Sequence, residues 1–231
     1  MSVISHKFLK RDDLEDRTYQ SNISKACLEQ STLVILPTGM GKTVVALRII
    51  IERLEIGKIL LMAPTKPLAQ QHFDFFNNFL KADVSLFTGA ISPSEREPLW
   101  NSSQVIISTP QVISKDIEAN RASLEEFSLV IFDEAHRAVG NYAYVFIGKH
   151  YLEKGRNHLS TGMTASPGSS KPEIIRLCQD LGITAVENRD ENDSDVLDYI
   201  QPIKTRWVKI NMPEAVKDIA SQLRKLQDYL C

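Results

Sequence analysis

The segment Pro37-Thr38-Gly39-Met40-Gly41-Lys42-Thr43 follows the apolar run Thr32 to Leu36 and precedes a helix-periodic stretch from Val44 to Leu54. That order commits the chain to a strand, a glycine loop and a helix. Gly39 and Gly41 let the backbone turn its N–H groups inward, and the helix N-terminus adds partial positive charge, so the loop is built to cradle a polyphosphate. Lys42 has the reach for the β- and γ-phosphates of a nucleotide, and the Thr43 hydroxyl is a ligand for Mg²⁺. The general form of this loop has glycine at the position held here by Leu36, so the match is to a narrower variant.

A phosphate loop needs a carboxylate across from it. Leu129-Val130-Ile131-Phe132-Asp133-Glu134 is an apolar run ending in two acids. It reads as a buried strand whose Asp133 holds Mg²⁺ through water and whose Glu134 orients the attacking water. Two acids after an apolar run are often only a solvated strand end, and it is the pairing with Lys42 that favours chemistry.

Apolar, β-branched runs recur at 32–36, 58–62, 83–87, 104–108, 128–133 and 157–161. Helical patterns are predicted between them at 42–55, 67–80, 110–119, 140–152 and 171–181, with Pro67, Pro110 and Pro172 where a first helical turn tolerates proline. Alternation of this kind predicts an α/β fold, a doubly wound, mostly parallel sheet with helices on both faces and ligands at the C-terminal ends of its strands. A core domain is expected over 1–187. The polar, acidic stretch 188–202 reads as a linker or a wandering surface connection. A strand at Lys204 to Ile210 and a helix from Pro213 follow, the helix carrying Val216, Ile219, Ala220, Leu223, Leu226 and Leu230 on one face. Such a stripe running to the last residue is expected either to dock onto the core or to await a packing partner beyond position 231.

The formal net charge of -2 gives no overall basic field, so nucleic-acid contacts would rest on local donors and a few cations. Cys27, Cys178 and Cys231 show no C-x-x-C spacing, which disfavours a zinc site or a disulfide framework and suits a reducing, cytoplasmic home. No stretch has the length of a membrane span and no signal-peptide core is present. His6, His72, His150 and His158 lack metal-ligand spacing and read as ordinary core or surface residues.

Asp133-Glu134-Ala135-His136 together with the Pro-Thr-Gly-Met-Gly-Lys-Thr loop resembles the superfamily 2 helicases and translocases, in which the residue before the loop's proline need not be glycine. Further motifs stand in that family's order. Ala63 to His72, with Pro64-Thr65-Lys66, looks like motif Ia; Thr88-Gly89 like the next glycine element; Thr109-Pro110-Gln111 like motif Ib; and Thr164-Ala165-Ser166 like motif III. The resemblance implies ATP and Mg²⁺ as ligands, with Gln20, Leu36, Pro37, Thr38, Gly39, Met40, Gly41, Lys42 and Thr43 around the nucleotide. It also implies nucleic-acid contacts at Pro64, Thr65, Lys66, Gly89, Thr109 and Pro110, and coupling roles for His136, Thr164 and Ser166. From the residues alone, Pro64-Thr65-Lys66 and Thr109-Pro110 are equally readable as helix caps with proline in the first turn.

A tighter match covers Asp133 to Ile147 and Leu159 to Ser169, which look like archaeal Hef and its eukaryotic relatives Mph1 and FANCM, and it continues through Asp195 to Tyr229. Gly162-Met163-Thr164 departs from that family's more usual Gly-Leu-Thr, a mild apolar swap. By resemblance, residues 1–187 form a first RecA-like domain and 203–231 begin a helical insertion. A second RecA-like domain of the same parent chain would then supply arginines to the γ-phosphate, and the parent would remodel forked or branched DNA. An arginine finger is worth about 10³ to 10⁵ in rate, so this half by itself is expected to hydrolyse ATP slowly or not detectably. The double-stranded RNA sensors and Dicer-type helicases share the acidic box, and a binding module without turnover is a further alternative. The sequence does not fix polarity, a downstream nuclease domain or oligomeric state.

Overall fold

The computed structural model of the chain describes residues 2–138, 142–166, 171–199 and 213–230. These fall into two compact units, residues 1–199 and 200–231. The first unit is a single seven-stranded parallel sheet. Its strands are β1 (Thr32–Ile35), β2 (Lys58–Met62), β3 (Val84–Phe87), β4 (Val105–Ser108), β5 (Phe127–Asp133), β6 (Ser160–Thr164) and β7 (Ala185–Asn188), in the spatial order β3-β4-β2-β5-β6-β1-β7. Parallel neighbours need crossovers, and the helices supply them: α1 (Thr18–Glu29), α2 (Lys42–Arg53), α3 (Lys66–Phe79), α4 (Pro93–Ser102), α5 (Pro110–Glu118), α6 (Tyr142–Lys154) and α7 (Lys171–Leu181). The chain order reverses between β1 and β2 with β5 and β6 lying between them, which is where ligands gather in doubly wound sheets.

Every residue of β5 is buried, as a strand covered on both faces requires. Leu60, Met62, Phe87, Ile106, Val130 and Phe132 from the sheet pack with Trp100, Tyr144, Tyr151 and Leu177 from the helices in one core cluster. Three elements were not legible beforehand. The buried stripe of α1 is Tyr19, Gln20, Ile23, Ser24 and Cys27, too polar to register as an amphipathic period. Helix α4 buries only Arg96 and Trp100, contains Pro98, and announces itself solely through its Ser92–Glu95 capping box. Strand β7 is a short edge strand alternating half-buried with exposed residues.

The sixth strand, expected over 157–161, runs instead over 160–164. Its sequence Ser-Thr-Gly-Met-Thr lacks a β-branched apolar run, yet all five residues are buried. The stretch expected to be a linker over 188–202 is folded against the core through its described part. Val196 is fully buried, Asp195 pairs with Arg189 at 3.2 Å, and the Tyr199 hydroxyl lies 3.2 Å from the Thr18 amide. A paired Asp and a buried Val hold down what composition presents as a free surface chain. The expected strand at 204–210 lies outside the described residues. In the second unit α8 (Glu214–Leu230) forms as anticipated, with Val216, Ile219 and Leu223 exposed.

Candidate active site at the C-terminal edge of the sheet

Because all seven strands are parallel, every loop that leaves a strand toward a helix emerges on one edge. The ends of β5, β6 and β1 are in register: Ile35 pairs with Thr164, Asp133 pairs with Met163, and the Leu36 amide donates to the Thr164 carbonyl at 3.0 Å. The glycine loop, the acidic pair and the Thr164–Ser166 segment therefore leave three adjacent strands, each about 4.8 Å from the next.

Within the loop, Gly39 and Gly41 adopt φ of 88° and 79°, left-handed conformations that side-chain-bearing residues avoid. Gly41 is the N-cap of α2, so the first turn, with Lys42 and Thr43, presents its amides at the loop. The Lys42 amine donates to the Leu36 carbonyl at 2.9 Å. Beneath the loop, Tyr19 Oη donates to the Met40 carbonyl at 2.8 Å, and Gln20 Nε2 donates to that carbonyl and to Tyr19 Oη, both at 3.2 Å. Gln20 is buried and its Oε1 has no partner. With both amide hydrogens engaged, only acceptance is left to this side chain.

The acidic strand end is more elaborate than its sequence suggests. Asp133 is buried, and its Oδ2 lies 2.8 Å from Nε2 of the equally buried His72 on α3. Tyr144, with no exposed surface, donates its hydroxyl to the Asp133 carbonyl at 2.8 Å and lies 3.2 Å from that of Met62. Burial, then the charges of Asp133 and Glu134, push this phenol well above its ordinary value, so it stays a donor. Glu134 sits at φ 50°, an uncommon and costly conformation for a residue with a side chain. His136 Nδ1 is 2.9 Å from Thr164 Oγ1 and 3.3 Å from Glu134 Oε2. Since Thr164 Oγ1 donates to the Ser166 carbonyl at 2.9 Å, the proton between His136 and Thr164 belongs on Nδ1, which Thr164 and Glu134 then share.

On the other half of the edge, β2, β4 and β3 also end in register, with Ser108 paired to both Met62 and Phe87. Thr65 and Lys66 are exposed, Pro64 is half-buried and Gly89 is exposed with open space around it. Thr65 and Thr109 are the N-caps of α3 and α5, yet neither side chain makes a capping hydrogen bond. Pro110 is buried as the first residue of α5, and Thr109 beside it is half-buried.

His72 and Tyr144 are the residues sequence reasoning missed. His72 reads there as an ordinary core histidine; the available signal was a polar side chain on the stripe Ala69, His72, Phe76, Phe79, which buries one face of α3. Among the described residues no three His, Cys, Asp or Glu side chains cluster as a metal cage. Among them no helix is long and apolar enough to cross a membrane.

A family model described as DEAD/DEAH box helicase matches residues 17–174. A Methanocaldococcus jannaschii protein, provisionally named an ATP-dependent RNA helicase, is 40% identical over 219 residues, which cover 93% of this chain and 28% of that protein. The ATP-dependent DNA helicase mph1 of Aspergillus fumigatus is 36% identical over 190 residues, covering 80% of this chain and 17% of the relative. The crystal structure of the Pyrococcus furiosus Hef helicase domain matches with a TM-score of 0.84 at 45% identity, over 94% of this chain and 48% of that one. The chain thus spans less than half the length of each of these relatives.

Proposed function

The chain belongs to the DEAD/DEAH box helicase family, and from that premise we propose that it is the ATP-binding half of a motor that translocates on or unwinds forked or branched DNA. What supports the reading is the single edge on which the glycine loop, the Asp133–Glu134 pair and the phosphate-facing turns after β2, β3 and β4 all emerge. Similarity to Hef and to a DNA helicase of the mph1 type points to DNA as the track. A cytoplasmic, nucleoid-associated location goes with it.

The donor set suits a triphosphate with Mg²⁺. The loop amides and the Lys42 amine are anion ligands, Thr43 and Asp133 offer oxygens, and the orphaned Gln20 Oε1 is an acceptor for an exocyclic amine such as that of adenine. Mg²⁺ characteristically takes one or two protein oxygens and completes its shell with water and phosphate, so no protein cage is required. Thr43 and Asp133 would hold the ion, which would supply positive charge to offset that of the phosphates.

Lys42 exchanges the Leu36 carbonyl for a phosphate oxygen. Pro37, Thr38 and Met40 shape the loop, while Glu134 orients a water toward the γ-phosphate and takes its proton. His136, Thr164 and Ser166, already hydrogen-bonded to one another, report the state of Glu134 to the domain across the cleft. Thr65, Lys66, Gly89 and Thr109 hold nucleic-acid phosphates, which positions the strand without reading its sequence. A second RecA-like domain of the parent protein completes the site.

The test is DNA-stimulated ATPase of the parent protein. Lys42→Ala loses both nucleotide binding and turnover, whereas Glu134→Gln keeps binding and traps ATP. Unchanged turnover in both variants refutes the assignment. A second reading has one observation behind it: the Methanocaldococcus relative is named for RNA. Stronger stimulation by duplex RNA than by forked DNA would replace the DNA reading.

A further inference from the structure

Asp133 is tied twice to one stretch of chain. At its backbone, the Tyr144 hydroxyl joins its carbonyl to that of Met62, the last residue of β2. At its side chain, Oδ2 meets His72 on α3 at 2.8 Å. Between these two anchors, Met62 and His72, lies the turn Pro64-Thr65-Lys66, the exposed turn assigned above to nucleic-acid phosphates. Lys66 begins α3 and His72 lies about 9 Å further along it, at 1.5 Å per residue. A rigid helix of fewer than two turns therefore separates the nucleic-acid side of the edge from the carboxylate on the nucleotide side.

The His72 contact is a specific one. An ionised carboxylate only accepts, so Nε2 carries the proton. The ring is steadied by Phe76, with centroids 6.1 Å apart and planes 23° from parallel. Both partners are more than nine-tenths buried, where a polar pair is strong when made and costly when broken. Packing alone would be met by an aliphatic residue on the stripe Ala69, Phe76, Phe79. With Oδ2 held by the imidazole, the carboxylate keeps one oxygen and one orientation for other ligands, the arrangement by which outer partners tune a metal-binding oxygen.

We infer that His72 is a positioning residue that orients the Asp133 carboxylate toward Mg²⁺ and links that orientation to occupancy of the Pro64–Lys66 turn by nucleic acid. The inference rests on the proposed function for its ligands, and on the 2.8 Å contact and the double tether for its residue. Motion of the turn on gripping a phosphate reaches Asp133 through α3 and His72, so nucleic acid improves the metal site from the far side of β5.

The experiment uses the full-length parent protein as wild type, His72→Leu and His72→Gln. Leu fills the space without a donor; Gln places an amide N–H near the position of Nε2. The first readout is binding of a fluorescent ATP analogue titrated with Mg²⁺, alongside its metal-free binding. The second is the ratio of ATPase with and without forked DNA.

His72→Leu should raise the Mg²⁺ concentration for half-maximal binding by about 10- to 100-fold while leaving metal-free nucleotide binding within twofold, and the stimulation ratio should fall toward one. His72→Gln should recover most of both. Equal Mg²⁺ dependence in wild type and His72→Leu overturns the inference, as does a Gln variant no better than Leu, or a loss of metal-free binding as large as the Mg²⁺ effect. A wild type that binds Mg²⁺–nucleotide but ignores forked DNA would count against the proposed function instead, and the Mg²⁺ titration would still decide the role of His72.

Discussion

Substituting Gly41 by alanine tests the loop at the point where conformation and packing meet. The residue sits at φ 79°, which costs a side-chain-bearing residue about 1–2 kcal/mol. An added Cβ would also stand 2.4 Å from Gln20 Nε2, a separation that real Cβ atoms do not tolerate. Gln20 is buried and cannot simply swing into solvent. Moving it sacrifices its bonds to the Met40 carbonyl and to Tyr19 Oη, together about 1–3 kcal/mol net. The sum, about 2–5 kcal/mol, corresponds to a fall in Tm of roughly 4–20 °C for a domain of this size. The two components separate in a double-variant cycle read by thermal unfolding. Gln20→Ala alone loses the same hydrogen bonds, so Gln20→Ala/Gly41→Ala should be less destabilised than the sum of the single variants by about 1–3 kcal/mol, leaving only the backbone cost on top of Gln20→Ala. Strict additivity would refute the claim that Gly41 is needed because Gln20 lies against it, and a Gly41→Ala protein as stable as the parent would refute the conformational argument as well.

Other consequences are open to direct measurement. Tyr144→Phe removes the hydroxyl shared by the Asp133 and Met62 carbonyls, and chemical denaturation should show a loss of about 1–3 kcal/mol from two buried acceptors left short of a donor. Asp116, buried, accepts from Arg96, Arg121 and Trp100; burial pushes its carboxyl up, but these bonds outweigh that and hold it below the usual carboxylate range. Its stabilising contribution is therefore present above the unfolded value of about 3.9 and is lost as pH falls through the lower folded value. Asp116→Asn should cost about 3–5 kcal/mol at neutral pH, because Arg96 keeps a buried charge, and should flatten the acid limb of a stability–pH curve. Burial raises the Cys27 thiol to about 12. At pH 8 about one molecule in 10⁴ then carries the thiolate, so thiol reagents should label Cys27 at the rate at which the domain opens and no faster.

The sheet was readable because it is parallel and buried: β1, β2, β4 and β5 are continuous apolar runs, the pattern that strands covered on both faces require. The loop at 37–43 and the acids at 133 and 134 were readable because phosphate and metal chemistry allow few residue types at such spacings. What escaped were features whose physics is relational. Helix α1 hides its buried face behind Ser24, whose hydroxyl donates to the Gln20 carbonyl within the helix, and Gln20, whose polarity makes sense only against the underside of the loop. Strand β6 is buried despite two hydroxyl residues, Ser160 and Thr161, whose side-chain oxygens have no partner. Pro110 is ambiguous in sequence because a proline in a first turn serves the helix whether or not a ligand is near. His72 carried a visible signal, one polar residue on an apolar stripe, but its meaning depends on a partner 61 positions away.

That separation bears on how the two halves of the edge are joined. The strand order places the ends of β5, β6 and β1, which carry the acidic pair, Thr164 and the glycine loop, beside the ends of β2, β4 and β3, with β2 and β5 as the shared boundary. Within this unit the two halves meet at that boundary, and among the described side chains Tyr144, which holds the two strand ends, and His72, which holds the carboxylate, cross it at the edge. The two ties differ in kind. Tyr144 fixes backbone to backbone and should matter to stability alone, whereas His72 fixes a carboxylate oxygen and should matter to stability and to metal-dependent binding alike. Loss of the tyrosine hydroxyl is therefore expected to lower Tm while leaving the Mg²⁺ half-point of nucleotide binding within a few-fold, whereas loss of the imidazole, which strands a buried carboxylate, should lower Tm and raise that half-point together. Indistinguishable profiles for Tyr144→Phe and His72→Leu would mean that the boundary acts as one packed wall rather than as a frame with a separate lever.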